Sequence, residues 1–154
     1  MTMEIRIAHL YEHPAYFGVV AKWIHEEWWT GKPGHSVQTM ETRLRQASNP
    51  DRIPISLVAL ANDGPVGTVN LVENDDENRR HLFPWLAALL VLPQYRGQGI
   101  GSTLVRSLLT EAARLKVKRM YLGADAPEFY LRFGAEIHEQ VTDEFCIMCV
   151  EVDV

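Results

Sequence analysis

One turn constrains this chain more than any other stretch. Residues 89–92 read Leu-Leu-Val-Leu, Pro93 ends that apolar run, and Arg96-Gly97-Gln98-Gly99-Ile100-Gly101 follows. Apolar residues then recur at Ile100, Leu104, Val105, Leu108, Leu109, Ala112 and Leu115, which is one face of a helix. The pattern predicts a strand, a tight turn and a helix. Glycines let the backbone bend there and keep side chains out of a ligand's way. The amides of the first helical turn are left unpaired, and the helix dipole adds partial positive charge. Such an end holds phosphate.

The spacing narrows the choice of phosphate. The turn is G-x-G-x-G rather than G-x-G-x-x-G, and no acidic residue stands at the dinucleotide distance on a following strand. No Gly-Lys-Ser/Thr follows, so a nucleoside-triphosphate loop is poorly supported. What remains is Arg-x-x-Gly-x-Gly, read as Arg96, Gly99 and Gly101. It is flanked by Pro84-Trp85-Leu86-Ala87 and Val91-x-Pro93 before it, and by Phe129-Tyr130-Leu131-Arg132-Phe133-Gly134 after it. Taken together these residues resemble the pyrophosphate loop and flanks of the GNAT superfamily of N-acetyltransferases.

The element order predicted over nearly the whole chain fits that resemblance. A strand at 4–8 precedes a helix opened by Pro14 with Phe17, Val20, Ala21, Ile24 and Trp28 along one side. Ser36 can cap a second helix through about Ala47. Strands are predicted at 53–60, 66–72 and 82–92, with a turn at 62–65 and a polar loop at 73–80. The run at 82–92 is apolar enough to be central. A strand at 119–123, a short helix at 127–133 and a closing hairpin, 135–141 with 145–152, complete the chain. The expectation is one domain, 1–154, of mixed α/β class. The resemblance implies an acyl-CoA N-acyltransferase fold, a largely antiparallel sheet flanked by helices with its fourth and fifth strands splayed.

Composition sets further bounds. A chain of 154 residues suits one core. No apolar run is long enough to cross a membrane and the first residues are no signal peptide, so no membrane partner and a cytoplasmic location are expected. The net charge of -5 argues against nucleic acid. Between 93 and 119, however, Arg96, Arg106, Arg114, Lys116, Lys118 and Arg119 face a single acid, Glu111. That is where a polyanion is expected, although the stretch from Arg114 to Arg119 also reads as a solvated helix end. Cys146 and Cys149 fall on opposite faces of a strand, so they are expected as core thiols rather than a disulfide or a metal site.

The resemblance implies acetyl-CoA as co-substrate, without a metal, and direct acetyl transfer to a primary amine of a small molecule or a protein. It implies that main-chain groups of Leu89, Leu90 and Val91 hold the pantetheine arm and polarise the thioester carbonyl. Arg96, Gly97, Gln98, Gly99, Ile100, Gly101 and Ser102 would then cradle the diphosphate. Negative charge builds on that carbonyl oxygen as the amine attacks, and fixed amides stabilise it. Tyr130 stands at the position of the family's general-acid tyrosine and would serve the departing sulfur. The family's frequent asparagine seven residues earlier is here Gly123, with Asp125 as a possible substitute. Some members carry histidines on the fourth strand where this chain has Trp85 and Ala87, so the base is open among Glu73, His81, Glu27 and water. Glu73 is the first choice, as a strand end beside the splay. Trp23, Trp28, Trp29, Phe83 and Trp85 are available to line an acceptor site, and the loop acids Asp75, Asp76 and Glu77 could meet a cationic amine. A non-catalytic acyl-CoA sensor is the alternative. The oligomeric expectation is a monomer or a homodimer.

Overall fold

The computed structural model describes residues 4–62 and 64–153. Seven strands form a single sheet in the order β1-β2-β3-β4-β5-β7-β6. They are β1 (Arg6–His9), β2 (Ile55–Ala61), β3 (Gly64–Val72), β4 (Trp85–Val91), β5 (Arg119–Ala124), β6 (Glu136–Thr142) and β7 (Phe145–Glu151). The run expected to be central, β4, is the middle strand. It starts at Trp85 rather than Leu82, because the Leu82 main chain is taken up by a turn, its N–H donating to the Arg79 carbonyl at 3.0 Å and its carbonyl accepting the Trp85 indole N–H at 2.8 Å. Asp63 of the predicted 62–65 turn lies outside the described residues.

Every neighbouring pair is antiparallel except β4 and β5, which run parallel. Those two meet at one register position only, Trp85 opposite Tyr121. Beyond it they diverge, and the edge of β4 toward β5 has no strand against it. A bulge in β4 contributes to this. Thr68 of β3 stands opposite Leu90 and Asn70 opposite Ala87, so two β4 residues face Val69 alone. Ala88, within the bulge, has φ +52°, a conformation that a residue with a Cβ rarely takes. Bulges bend a strand and sharpen its twist, which turns the end of β4 away from β5.

Helices cover both faces. The long helix α3 (Ile100–Arg114) lies over β2, β3 and β4 and buries Leu104, Val105 and Leu108 against Leu57, Val69, Leu86 and Leu122. On the opposite face α1 (Phe17–Ile24) and α2 (Val37–Arg45) pack on Val58 and Leu60. Further along that face, Leu82, Trp85, Tyr121 and Ile147 form a separate apolar patch beyond both helices. A one-turn helix, α4 (Glu128–Leu131), follows β5 and is shorter than the predicted 127–133.

Two helical details bear on the site. Ser36 caps α2 as expected, its Oγ accepting the Thr39 N–H at 3.0 Å. Ser36→Ala should therefore lower stability by about 1 kcal/mol in denaturant unfolding, with an unchanged m-value. The first helix departs from its predicted form. Pro14–Tyr16 is a 3₁₀ turn, α1 ends at Ile24, and His25–Trp29 is a π-helical turn. In an α-helix Trp28, four residues after Ile24, would continue the buried stripe. The wider turn brings Trp29 inward instead, where it packs on the helical core and stacks on the His35 ring at 4.1 Å. Trp28 is displaced outward and is 39% exposed.

Candidate active site

The site begins where β4 ends. A 3₁₀ turn (Pro93–Tyr95) leads to Arg96, whose Nε donates to the Val91 carbonyl at 2.9 Å, tying the guanidinium to the last residue of β4. Gly97 and Gly99 then take φ +77° and +83°. Those left-handed residues explain the two glycines, and Gly99 occupies the N-cap of α3 with no side chain to satisfy the helix. The amides at the start of α3 therefore point out of the fold unpaired. A Cβ at Gly97 or Gly99 would meet nothing within 4 Å, so the space above the turn is open.

One cleft of about 420 Å³ collects most of the predicted set. Leu89, Leu90, Val91, Arg96, Gly97, Ile100 and Gly101 line it. Gln98 and Gly99 are exposed on the loop beside it, and Ser102 is buried in the first turn of α3. Tyr95 and Phe129 complete the wall, and the π-helical turn adds Glu27 and Trp28. Glu27 is the one acid and Arg96 the one cation among these lining residues.

The structure adds a residue that the sequence reading did not assign to the site. Arg132 donates through Nη1 to Ser102 Oγ at 3.2 Å and lies over the Phe129 ring at 4.7 Å. This places a second guanidinium at the helix N-terminus. The only sequence signal was its membership of the Phe129 to Gly134 run.

Tyr130 is half-buried beside Phe129, ring centroids 5.0 Å apart and nearly perpendicular. It is not among the residues lining the cleft; its neighbour Phe129 is. Burial pushes its phenol up to about 12. Glu73 is exposed one residue past β3, whose Val72 pairs with Trp85. That is the closed end of β4, roughly 13 Å along the strand from Leu89. The fold thus brings Glu27, not Glu73, to the cleft. His81 is exposed in the β3–β4 loop, and Asp125 is exposed after β5.

The tryptophans divide. Trp23 and Trp29 pack on the helical core, Trp85 is buried with its indole N–H satisfied, and only Trp28 reaches the cleft. Among the loop acids, Asp76 is held by Arg79 at 2.8 Å, and the same guanidinium reaches Glu139 of β6 at 2.6 Å. That bond holds the Glu139 carboxyl below its ordinary range. Cys146 is buried and Cys149 half-buried, both are free thiols, and burial pushes both up. Among the described residues no three His, Cys, Asp or Glu side chains cluster as a metal site, and no helix is long and apolar enough to cross a membrane.

A mixed sheet with one diverging parallel pair and flanking helices is the fold of acyl-CoA N-acyltransferases. The chain belongs to the acetyltransferase (GNAT) family, whose model matches residues 20–135. Among solved structures it is similar to an aminoglycoside 6'-N-acetyltransferase complexed with coenzyme A, at 18% identity, TM-score 0.73, covering 97% of this chain and 98% of that one. A putative acetyltransferase from Salmonella typhimurium with its cofactor acetyl-CoA matches at 16% identity, TM-score 0.73, covering 100% of this chain and 96% of that one. A GNAT-family acetyltransferase from Streptococcus pneumoniae matches at 20% identity, TM-score 0.67, covering 98% and 100%. At these identities the likeness carries the fold alone. Comparison with curated protein sequences gives no match.

Proposed function

We propose that this chain binds acetyl-CoA and transfers its acetyl group directly to a primary amine. One observation carries the reading. The unpaired first turn of α3 opens into a cleft continuous with the part of β4 that β5 has left bare. A diphosphate fits the first feature by charge and hydrogen bonding, with Arg96 and Arg132 supplying cations. An extended amide-bearing arm fits the second as a strand-like partner.

The residues divide the chemistry between them. Main-chain groups of Leu89 and Val91, on the edge of β4 that β5 leaves bare, hold the arm and oppose the charge that develops on the thioester oxygen, while the Leu90 main chain is taken up by β3. Tyr130 serves the departing sulfur. With its phenol at about 12 against a thiol near 8.5, giving up its proton outright is uphill, so Tyr130 acts as a hydrogen-bond donor. Glu27 attracts the acceptor's ammonium, and a water beside it takes the proton that a primary amine of pKa about 8 to 10.4 must lose. Burial raises the Cys146 and Cys149 thiols and so keeps them protonated and poorly nucleophilic, which supports direct transfer over an acetyl-cysteine route.

Calorimetry with CoA, ATP and NAD, followed by an acetylation screen over amine classes, tests the reading. CoA should bind while ATP and NAD give no heat, and at least one amine class should turn over. Binding of CoA with no acceptor acetylated would turn the reading to a sensor. Glu27→Gln should raise the acceptor KM about tenfold, with the CoA dissociation constant unchanged.

A further inference from the structure

Gly123 occupies a place that the family often gives to asparagine, and the structure supplies a reason. Gly123 lies on β5 opposite Ile147 of β7, two residues beyond Tyr121, the sole contact of β5 with β4. It is therefore the first residue after the strands part whose side chain would share Tyr121's face of the sheet. Met120, Leu122 and Ala124 point the other way, into the core beneath α3. A Cβ on Gly123 would lie 2.7 Å from Cζ of Phe145 and 3.1 Å from its Cε1. Real contacts do not come that close, so the ring is seated where any side chain at 123 would begin.

Phe145 opens β7, is half-buried, and rests against the patch of Trp85, Tyr121 and Ile147. Gly123 nevertheless stays exposed, so the ring does not seal the gap over its backbone. The face carrying the ring is the one on which α1 packs, and the π-helical turn after α1 brings Trp28 and Glu27 to the cleft. The ring thus stands over β5 just past the point where the two strands part, while the indole of Trp28 and the carboxylate of Glu27 line the cleft along the bare end of β4.

We infer that Phe145, seated over Gly123, is a specificity-determining residue that forms the β5-side wall of the acceptor subsite and selects primary amines bearing a flat apolar group, the arylalkylamine class. This rests on the acetyl-transfer reading. Glu27 meets the ammonium, and the two aromatic side chains meet the apolar substituent. A flat ring gains most from such walls, because aromatic pairs contribute beyond their buried area. An aliphatic polyamine gains little from them.

The test compares kcat/KM for phenethylamine and for spermidine, with CoA affinity measured alongside. The native protein should prefer phenethylamine. Phe145→Ala should lower kcat/KM for phenethylamine about tenfold, move spermidine less than about twofold, and leave CoA affinity unchanged. Phe145→Leu keeps the plug over Gly123 but loses the flat face. It should show the same selective loss and guards against a folding defect in the alanine variant. Gly123→Ala should mimic Phe145→Ala by displacing the ring, yet add nothing when built into Phe145→Ala. A native preference for spermidine, or equal changes on both amines, would overturn the assignment and leave Phe145 as packing. CoA binding with neither these nor any other amine acetylated would instead overturn the transfer reading beneath it.

Discussion

Gly99→Glu should remove CoA binding and leave a protein that still folds. Gly99 sits at the N-cap of α3 with φ +83°, and nothing lies within 4 Å of the Cβ that glutamate would introduce. The cost to the fold is the left-handed conformation, about 1 to 2 kcal/mol, partly offset by a carboxylate near a helix N-terminus. For the ligand both changes are adverse. The carboxylate takes up the free amides that a diphosphate needs, and it sets negative charge against negative charge. Affinity for CoA should fall more than about a thousandfold, a loss of over 4 kcal/mol. Gly99→Ala separates the contributions, since it has the same backbone strain without the charge, and should weaken binding less than tenfold. Calorimetry with circular dichroism decides it. Native affinity in the folded Gly99→Glu protein contradicts placing the diphosphate at this turn.

Tyr130→Phe should lower kcat about a hundredfold while CoA affinity stays within about twofold. The phenol is held at about 12 by burial, above the ordinary value of 10, so the proton is retained more tightly in the folded protein. The sign fixes the pH profile. Tyr130 remains protonated across the usual assay range. The rise in kcat/KM as the acceptor amine deprotonates should therefore run on without a downturn near pH 10, and the Phe variant should rise with the same slope from a lower level. A native profile that turns down near 10 would mean an unshielded phenol, and an unchanged kcat in the variant would remove Tyr130 from the reaction.

The parts of this fold legible in the sequence are those encoded within a few residues. The run before Pro93, the glycine turn and the 3.6-residue spacing after it each act locally, and the structure reproduces strand, turn and helix there. Ser36 at its cap is legible for the same reason. Glu73 shows where local reading stops. It does stand at a strand end, but which end of β4 that strand end accompanies depends on pairing between β3 and β4, and Val72 pairs with Trp85, where β4 is still joined to β5. Arg132 shows the same limit, since its contact with Ser102 joins residues thirty positions apart.

By itself the sequence determined that a glycine turn closes a central strand and opens a long helix, because backbone conformation at glycine and helical periodicity are properties of short stretches. Only the tertiary structure decided what faces that turn. A single extra residue in the turn after Ile24 sent Trp28 outward and Trp29 inward, a bulge at Ala88 turned β4 from β5, and the ring of Phe145 settled over Gly123. Each is a matter of one residue of register or of a contact between distant strands, and such choices are made by packing the whole sheet against its helices rather than by any segment alone.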